Sequence, residues 1–231
     1  MDAWSIFVNQ FITLEGYKKV LEGLLATVEI AVFGLLIGFV IGSLLAVLKL
    51  LPGRNWISRI LGWLANIYVA IFRGTPMVVQ LLLLHFALFP MLGILIDPVI
   101  EACIAFGMNS GAYICEIMRG GILSVDKGQM EAGRAIGLSY GKTMFSIVIP
   151  QAVKNVVPTL GNEFIALIKE TSVVSFIAVV DLTRAFQNFA NSTLEYFVPY
   201  IVLALCYLVM VLVVTVVVRF IEGRMRRSDR R

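Results

Sequence analysis

The chain has 231 residues, 59% of them hydrophobic and only 15% charged, with a mean hydropathy of +0.91 and a formal net charge of +4. A soluble domain of this size cannot bury that much apolar surface, which here falls in long uninterrupted runs; the composition excludes a soluble protein and indicates an integral membrane protein. The basic excess gathers beside apolar runs and reads as a topological anchor at anionic lipid, not as a nucleic-acid surface.

The first residues, MDAWSIFVNQF, lack the basic start and small-residue cleavage site of a signal peptide, so the first span is expected to stay in the mature protein. A helix needs about 20 apolar residues to cross the hydrocarbon core. Runs of that length recur five times. The first, residues 20–49, is interrupted only by Glu22 and Glu29. The second, 57–89, is too long for one straight span and contains FRGTP, where Arg73, Gly74 and Pro76 are expected to bend or break it. The third and fourth cover 98–123 and 143–169; the fifth, 196–218, has no charge at all. Residues 170–193 are too short and too punctuated by charge for a sixth span, and read as a re-entrant turn followed by a short helix lying at the surface.

Lysine and arginine set the orientation. Lys49, Arg54 and Arg59 follow span one, and Arg119, Lys127, Arg134 and Lys142 follow span three. The tail carries Arg219, Arg224, Arg226, Arg227, Arg230 and Arg231. These regions are expected in the cytoplasm and the N-terminus outside. Gly34, Gly38 and Gly42 recur at four-residue spacing on span one, a pattern that lets a second helix approach closely, within the chain or across a dimer. Cys103, Cys115 and Cys206 lie in apolar segments without metal or disulfide spacing and read as small buried hydrophobes.

Between spans three and four lies EAGRAIGLSYGKTMFSIVIP, whose centre nearly spells a phosphate-binding loop. Gly137 and Gly141 enclose three residues where such a loop needs four. The residues before them read as a helix over 125–136, with Ser124 as N-cap, Asp126 in its first turn and Glu131 and Arg134 as i,i+3 partners. A nucleotide site is therefore rejected. What remains is a short polar helix with an acidic residue, small residues at Ala132, Gly133 and Ala135, and a glycine stop.

Glu131, Ala132 and Gly133, then Gly137, then Ile147, Ile149 and Pro150 resemble the EAA loop of ABC importer permeases, with Gly133 in place of the last Ala and Ile149 in place of Leu. FRGTP, YICEIMRGGI, GQMEAGRAIGLS and KETS resemble the polar amino acid subfamily, and the similarity covers nearly the whole chain. The resemblance implies an all-α permease of five spans, one domain over 1–231 with its core at about 20–222 and a coupling loop at about 124–142. It implies a multi-pass protein of the bacterial cytoplasmic (inner) membrane, surrounded by lipid. A second permease subunit (a copy of the chain or a close relative), a cytoplasmic ABC ATPase dimer and an external amino acid-binding protein are the implied partners. The chain itself is expected to be no enzyme and to hold no cofactor or metal. Glu131, Ala132, Gly133, Arg134 and Gly137 are then the candidate ATPase-coupling residues.

A route for a zwitterion needs a cation for the α-carboxylate and an acceptor for the α-ammonium. Arg73 is the candidate for the first, because an arginine inside a broken span must face a partner or water; pairing with a carboxylate or capping the broken backbone is the alternative. Asn162 and Glu163, in the middle of span four after Pro158 and Gly161, are the candidates for the second. The alternative is a permanent partner for Glu163, Lys169 or Arg73. This set points to a carrier of polar, cationic L-amino acids, with glutamine as runner-up. Glu116 and Arg119 read as an ion pair near the end of span three, and the lone His85 as a packed or hydrogen-bonded span residue. An ion-gradient-driven transporter is the reading from another class, disfavoured because no internal repeat is found; a non-transporting scaffold leaves the charges inside spans unexplained.

Overall fold

The computed structural model describes residues 2–50 and 55–227. Arg54, Arg230 and Arg231 lie outside the described residues, as do the side chains of Arg226 and Arg227. Helix α1 (Ala3–Val8) runs through a π turn at Asn9–Thr13 into α2 (Gly16–Leu50). Helix α3 (Trp56–Gly74) ends at Thr75, and α4 (Met77–Leu83) continues through a second π turn, Leu84–Leu88, into α5 (Phe89–Met91). Helix α6 (Pro98–Leu123) precedes two short helices, α7 (Lys127–Ala135) and α8 (Tyr140–Thr143). A third π turn, Met144–Val148, leads into α9 (Ile149–Glu170). A 3-10 turn at Thr171–Ile177, then α10 (Leu182–Thr193) and α11 (Phe197–Arg227), complete the chain.

The core is the crossing of α2 and α6. In lipid the hydrophobic effect gives no preference for protein over acyl chain, so close backbone approach must supply the attraction. Gly34, Gly38 and Gly42 are buried against α6, and a Cβ built on Gly38 would lie 2.8 Å from the Cβ of Ser110. The fit is reciprocal: Ile37 and Ile41 press on Gly107 and Gly111, where a Cβ would come within 2.4 and 2.7 Å of their methyl groups. The glycine stripe therefore packs within the chain. Around this crossing, Ile30, Ala31, Leu81, Phe106, Leu167 and Val174 form the main apolar cluster.

Among the described residues, α2 and the Phe197–Met225 stretch of α11 are long and apolar enough to cross a membrane. The pair Trp56–Gly74 and Met77–Met91, bent by 106°, makes a third if it is one broken span. The expected break at FRGTP is thus present. Helices α6 and α9, at 26 and 22 residues, reach roughly 39 and 33 Å at 1.5 Å per residue, but both carry polar residues; those of α6, Glu101, Asn109 and Ser110, are buried.

Three expectations need correction. Residues 182–193 do not form a helix at the surface: Leu182, Ala185, Phe186, Phe189 and Ala190 recur at helical spacing and are buried. They pack beside a notch in α2, where the Leu182 N–H donates to Thr27 Oγ1 at 3.1 Å and a Cβ on Gly23 would meet the Asp181 carbonyl at 2.6 Å. The α7 helix spans Lys127–Ala135, shorter than 125–136, and its N-cap is Asp126, which accepts from the Gly128 N–H at 2.6 Å. Ser124 instead follows α6, donating to Gly121 O at 2.8 Å and accepting from Asn155 Nδ2 at 2.9 Å. Glu131 and Arg134 form no ion pair; Arg134 Nη1 donates to Leu138 O at 3.0 Å.

Candidate translocation site and coupling loop

Breaking a helix at Thr75 and Pro76 frees the last carbonyls of α3, and in a membrane each unsatisfied one costs several kcal/mol. Two buried amides take them up. Gln80 Nε2 lies 2.9 Å from Phe72 O, 3.0 Å from Thr75 O and 2.8 Å from Thr75 Oγ1. Asn109 Nδ2, on α6, donates to Gln80 Oε1 at 2.9 Å and reaches Phe72 O at 3.3 Å. The capping task is therefore carried by Gln80 and Asn109 and not by Arg73. Arg73 instead extends over the Tyr113 ring of α6, its guanidinium carbon 5.3 Å from the centroid, a cation–π contact.

One turn before Tyr113 on α6, Ser110 Oγ donates to Glu163 Oε1 of α9 at 3.1 Å. No ion pair joins Glu163 to Arg73 or Lys169 among the described residues, so the permanent-partner alternative is not realised. Residues three apart share a helix face; α6 thus holds a guanidinium and a carboxylate on successive turns of one face, without a direct ion pair between them. Asn162 is exposed beside Glu163 and makes no side-chain hydrogen bond among the described residues.

Two further polar clusters flank this site. At one end of α6, Glu116 accepts from Arg119 Nε and Nη2 at 3.1 and 2.8 Å and also pairs with Lys49 of α2. The expected Glu116–Arg119 pair is present, with Lys49 added. Towards the other end, His85 in the second π turn pairs through Nδ1 with the buried Glu101, as a hydrogen-bonded span residue. Tyr68 Oη donates to Met108 O at 2.6 Å. The bent span is thus tied to α6 at three levels.

The loop after α6 is built as a helix with a strong stop. The Leu138 N–H donates to Gly133 O at 3.1 Å and the Gly137 N–H to Arg134 O at 3.1 Å, with Gly137 at φ +87°. That is a Schellman ending, and only glycine adopts its left-handed position without strain. Gly141 lies inside α8, which Ser139 caps, so GLSYGKT links two helices and cradles nothing. Gly133 is buried, its absent Cβ leaving room for Thr143, whose methyl would otherwise be 2.4 Å away. Glu131, Ala132, Arg134 and Ala135 are exposed. The structure therefore separates Gly133 and Gly137, which shape the loop, from Glu131 and Ala132, which it presents outward.

The sequence profile of the binding-protein-dependent transport system inner membrane component family matches residues 34–227. The chain belongs to that family. The permease is 39% identical over 217 residues to the arginine transport system permease protein ArtQ of Bacillus subtilis (strain 168), covering 94% of this chain and 97% of that one. A Rickettsia conorii protein that carries the provisional name glutamine transport system permease protein GlnP is 40% identical over 206 residues, or 89% and 92% of the two chains. A crystal structure described as an amino acid ABC transporter with histidines superposes with a TM-score of 0.85 at 34% identity, over 97% of this permease and 99% of that chain.

Gln80, Asn109, Ser110 and Tyr113 escape a reading of the sequence. The available signal is Gln80, a lone amide four residues after Pro76 in an apolar run, where a freed carbonyl needs a donor.

Proposed function

We propose that the permease forms the translocation pathway of an ATP-driven importer of polar L-amino acids, biased toward cationic ones. The observation that carries the charge preference is the pair of opposite groups on one face of α6: Arg73 over Tyr113 and Glu163 on Ser110. The guanidinium takes an α-carboxylate, while Glu163 with Asn162 takes an ammonium or a basic side chain and repels an acidic one. Relatives named for arginine and, provisionally, for glutamine transport support an amino acid as cargo. The provisional glutamine name favours the second reading, a neutral polar solute bound through Asn162.

The rest of the assembly follows the family. Five spans, with α6 and α9 among them, set the N-terminus outside and α7 in the cytoplasm. There Glu131 and Ala132 meet one subunit of a separate ABC ATPase dimer, while Gly133, Arg134 and Gly137 hold the loop's shape. A second permease subunit completes the pathway, and an external binding protein delivers the amino acid. The test is competition of labelled arginine uptake by lysine, glutamine and glutamate, in wild type and Glu163→Gln. Lysine is expected to compete best and glutamate least, with the lysine advantage lost in the variant. Glutamate competing best in the wild type, or unchanged selectivity in an inserted variant, overturns the cationic reading.

A further inference from the structure

The corner at Thr75 has more acceptors than any single amide can serve. Gln80 Nε2 carries two hydrogens yet stands within 3.0 Å of Phe72 O, Thr75 O and Thr75 Oγ1. Asn109 supplies the missing donor by reaching Phe72 O while also donating to Gln80 Oε1. Thr75 Oγ1 itself donates to Ile71 O at 2.8 Å. Both amides are buried, at 7% and 4% exposure, so each must find its partners within the protein. Residues 72 and 75 flank Arg73, and Asn109 lies four residues before Tyr113 on α6. The same pair that closes the corner therefore sets the height and direction at which Arg73 leaves α3.

We infer that Gln80 and Asn109 are positioning residues for substrate recognition: neither touches the solute, and together they hold the 106° corner so that Arg73 meets the carboxylate over Tyr113. This rests on the reading of Arg73 as a solute contact. Because Asn109 backs up one acceptor, the two amides act as one unit, and the corner depends on Gln80 more than on Asn109.

The experiment is uptake of labelled arginine by the permease reconstituted in proteoliposomes with its ATPase and binding protein, with lysine and glutamine as competitors. Gln80→Leu is expected to raise KM about tenfold, since it removes the donors to the freed carbonyls of the corner, with the loss falling on KM more than on turnover. Gln80→Met, which keeps the length of the side chain and loses the donors, is expected to match it. Asn109→Ala is expected to raise KM about threefold, and adding it to Gln80→Leu to change little more. Should Gln80→Leu fail to insert, Asn109→Ala decides. Arg73→Ala separates the two claims. If it raises KM while inserted Gln80 and Asn109 variants keep wild-type KM and selectivity, the positioning role is wrong and the Arg73 reading stands. If Arg73→Ala leaves KM unchanged, both fall.

Discussion

Gly38→Ala adds one methyl group in the middle of the α2–α6 crossing. Its carbon would lie 2.8 Å from Ser110 Cβ, 3.0 Å from Gly111 N and 3.0 Å from Ser110 Oγ. Carbon atoms prefer about 3.5–4.0 Å, so the shortfall against Ser110 is about 1 Å. Two of the three neighbours, a Cβ and a backbone nitrogen, have no rotamer to escape into. Overpacking of this kind costs about 1–3 kcal/mol, partly offset by the better helix propensity of alanine, at most about 1 kcal/mol. A net loss of about 1–2 kcal/mol corresponds to a fall in Tm of about 2–8 °C for a chain of this length. Gly120→Ala is the control: it sits on the partner helix α6, and its Cβ would meet nothing within 4 Å. Thermal unfolding of the purified permease in detergent is expected to rank Gly38→Ala below wild type and Gly120→Ala level with it or above. A Gly38→Ala protein as stable as Gly120→Ala would refute the packing of these two spans.

Glu131→Lys is expected to leave the permease inserted but to abolish ATP-driven uptake while the ATPase still hydrolyses ATP; normal uptake by the variant would remove α7 from the coupling path. Gly137→Leu forces a side chain into the left-handed position at φ +87° and is expected to uncouple in the same way, at a stability cost of about 1–2 kcal/mol, read by the same assay with a Tm measurement. Glu116→Gln removes the partner of both Lys49 and Arg119 and is expected to cost about 1–2 kcal/mol, more than Lys49→Met, at about 1 or less, which leaves Arg119 on the carboxylate; the reverse order of Tm values would mean that Glu116 does not bridge α2 and α6.

Much of this architecture is written in runs of apolar residues, because crossing a membrane demands both length and hydrophobicity. The bounds of α6 and the break after Arg73 follow from that demand and from Pro76. The polar links across helices are another matter. Gln80 and Asn109 are 29 residues apart, and His85 and Glu101 are 16 apart, without a spacing rule that joins them; only the angle of the bent span brings them together. Helix α10 is missed as a buried element because its stripe of Leu182, Phe186 and Phe189 is interleaved with Arg184, Gln187 and Asn188, which lower its mean hydropathy. The Ser124 cap is misassigned because Ser124 and Asp126 are both good N-caps two residues apart, and the choice is made by Asn155, which holds Ser124 from another helix.

This chain moves an amino acid inward with a separate ATPase as its engine. Uptake of labelled arginine into right-side-out membrane vesicles or proteoliposomes, assembled with the ATPase and binding protein, tests it directly. Uptake is expected to require ATP on the side of α7, to persist when an uncoupler collapses ion gradients, and to be lost in Glu131→Lys. Uptake that survives without the ATPase and stops with the uncoupler would contradict it.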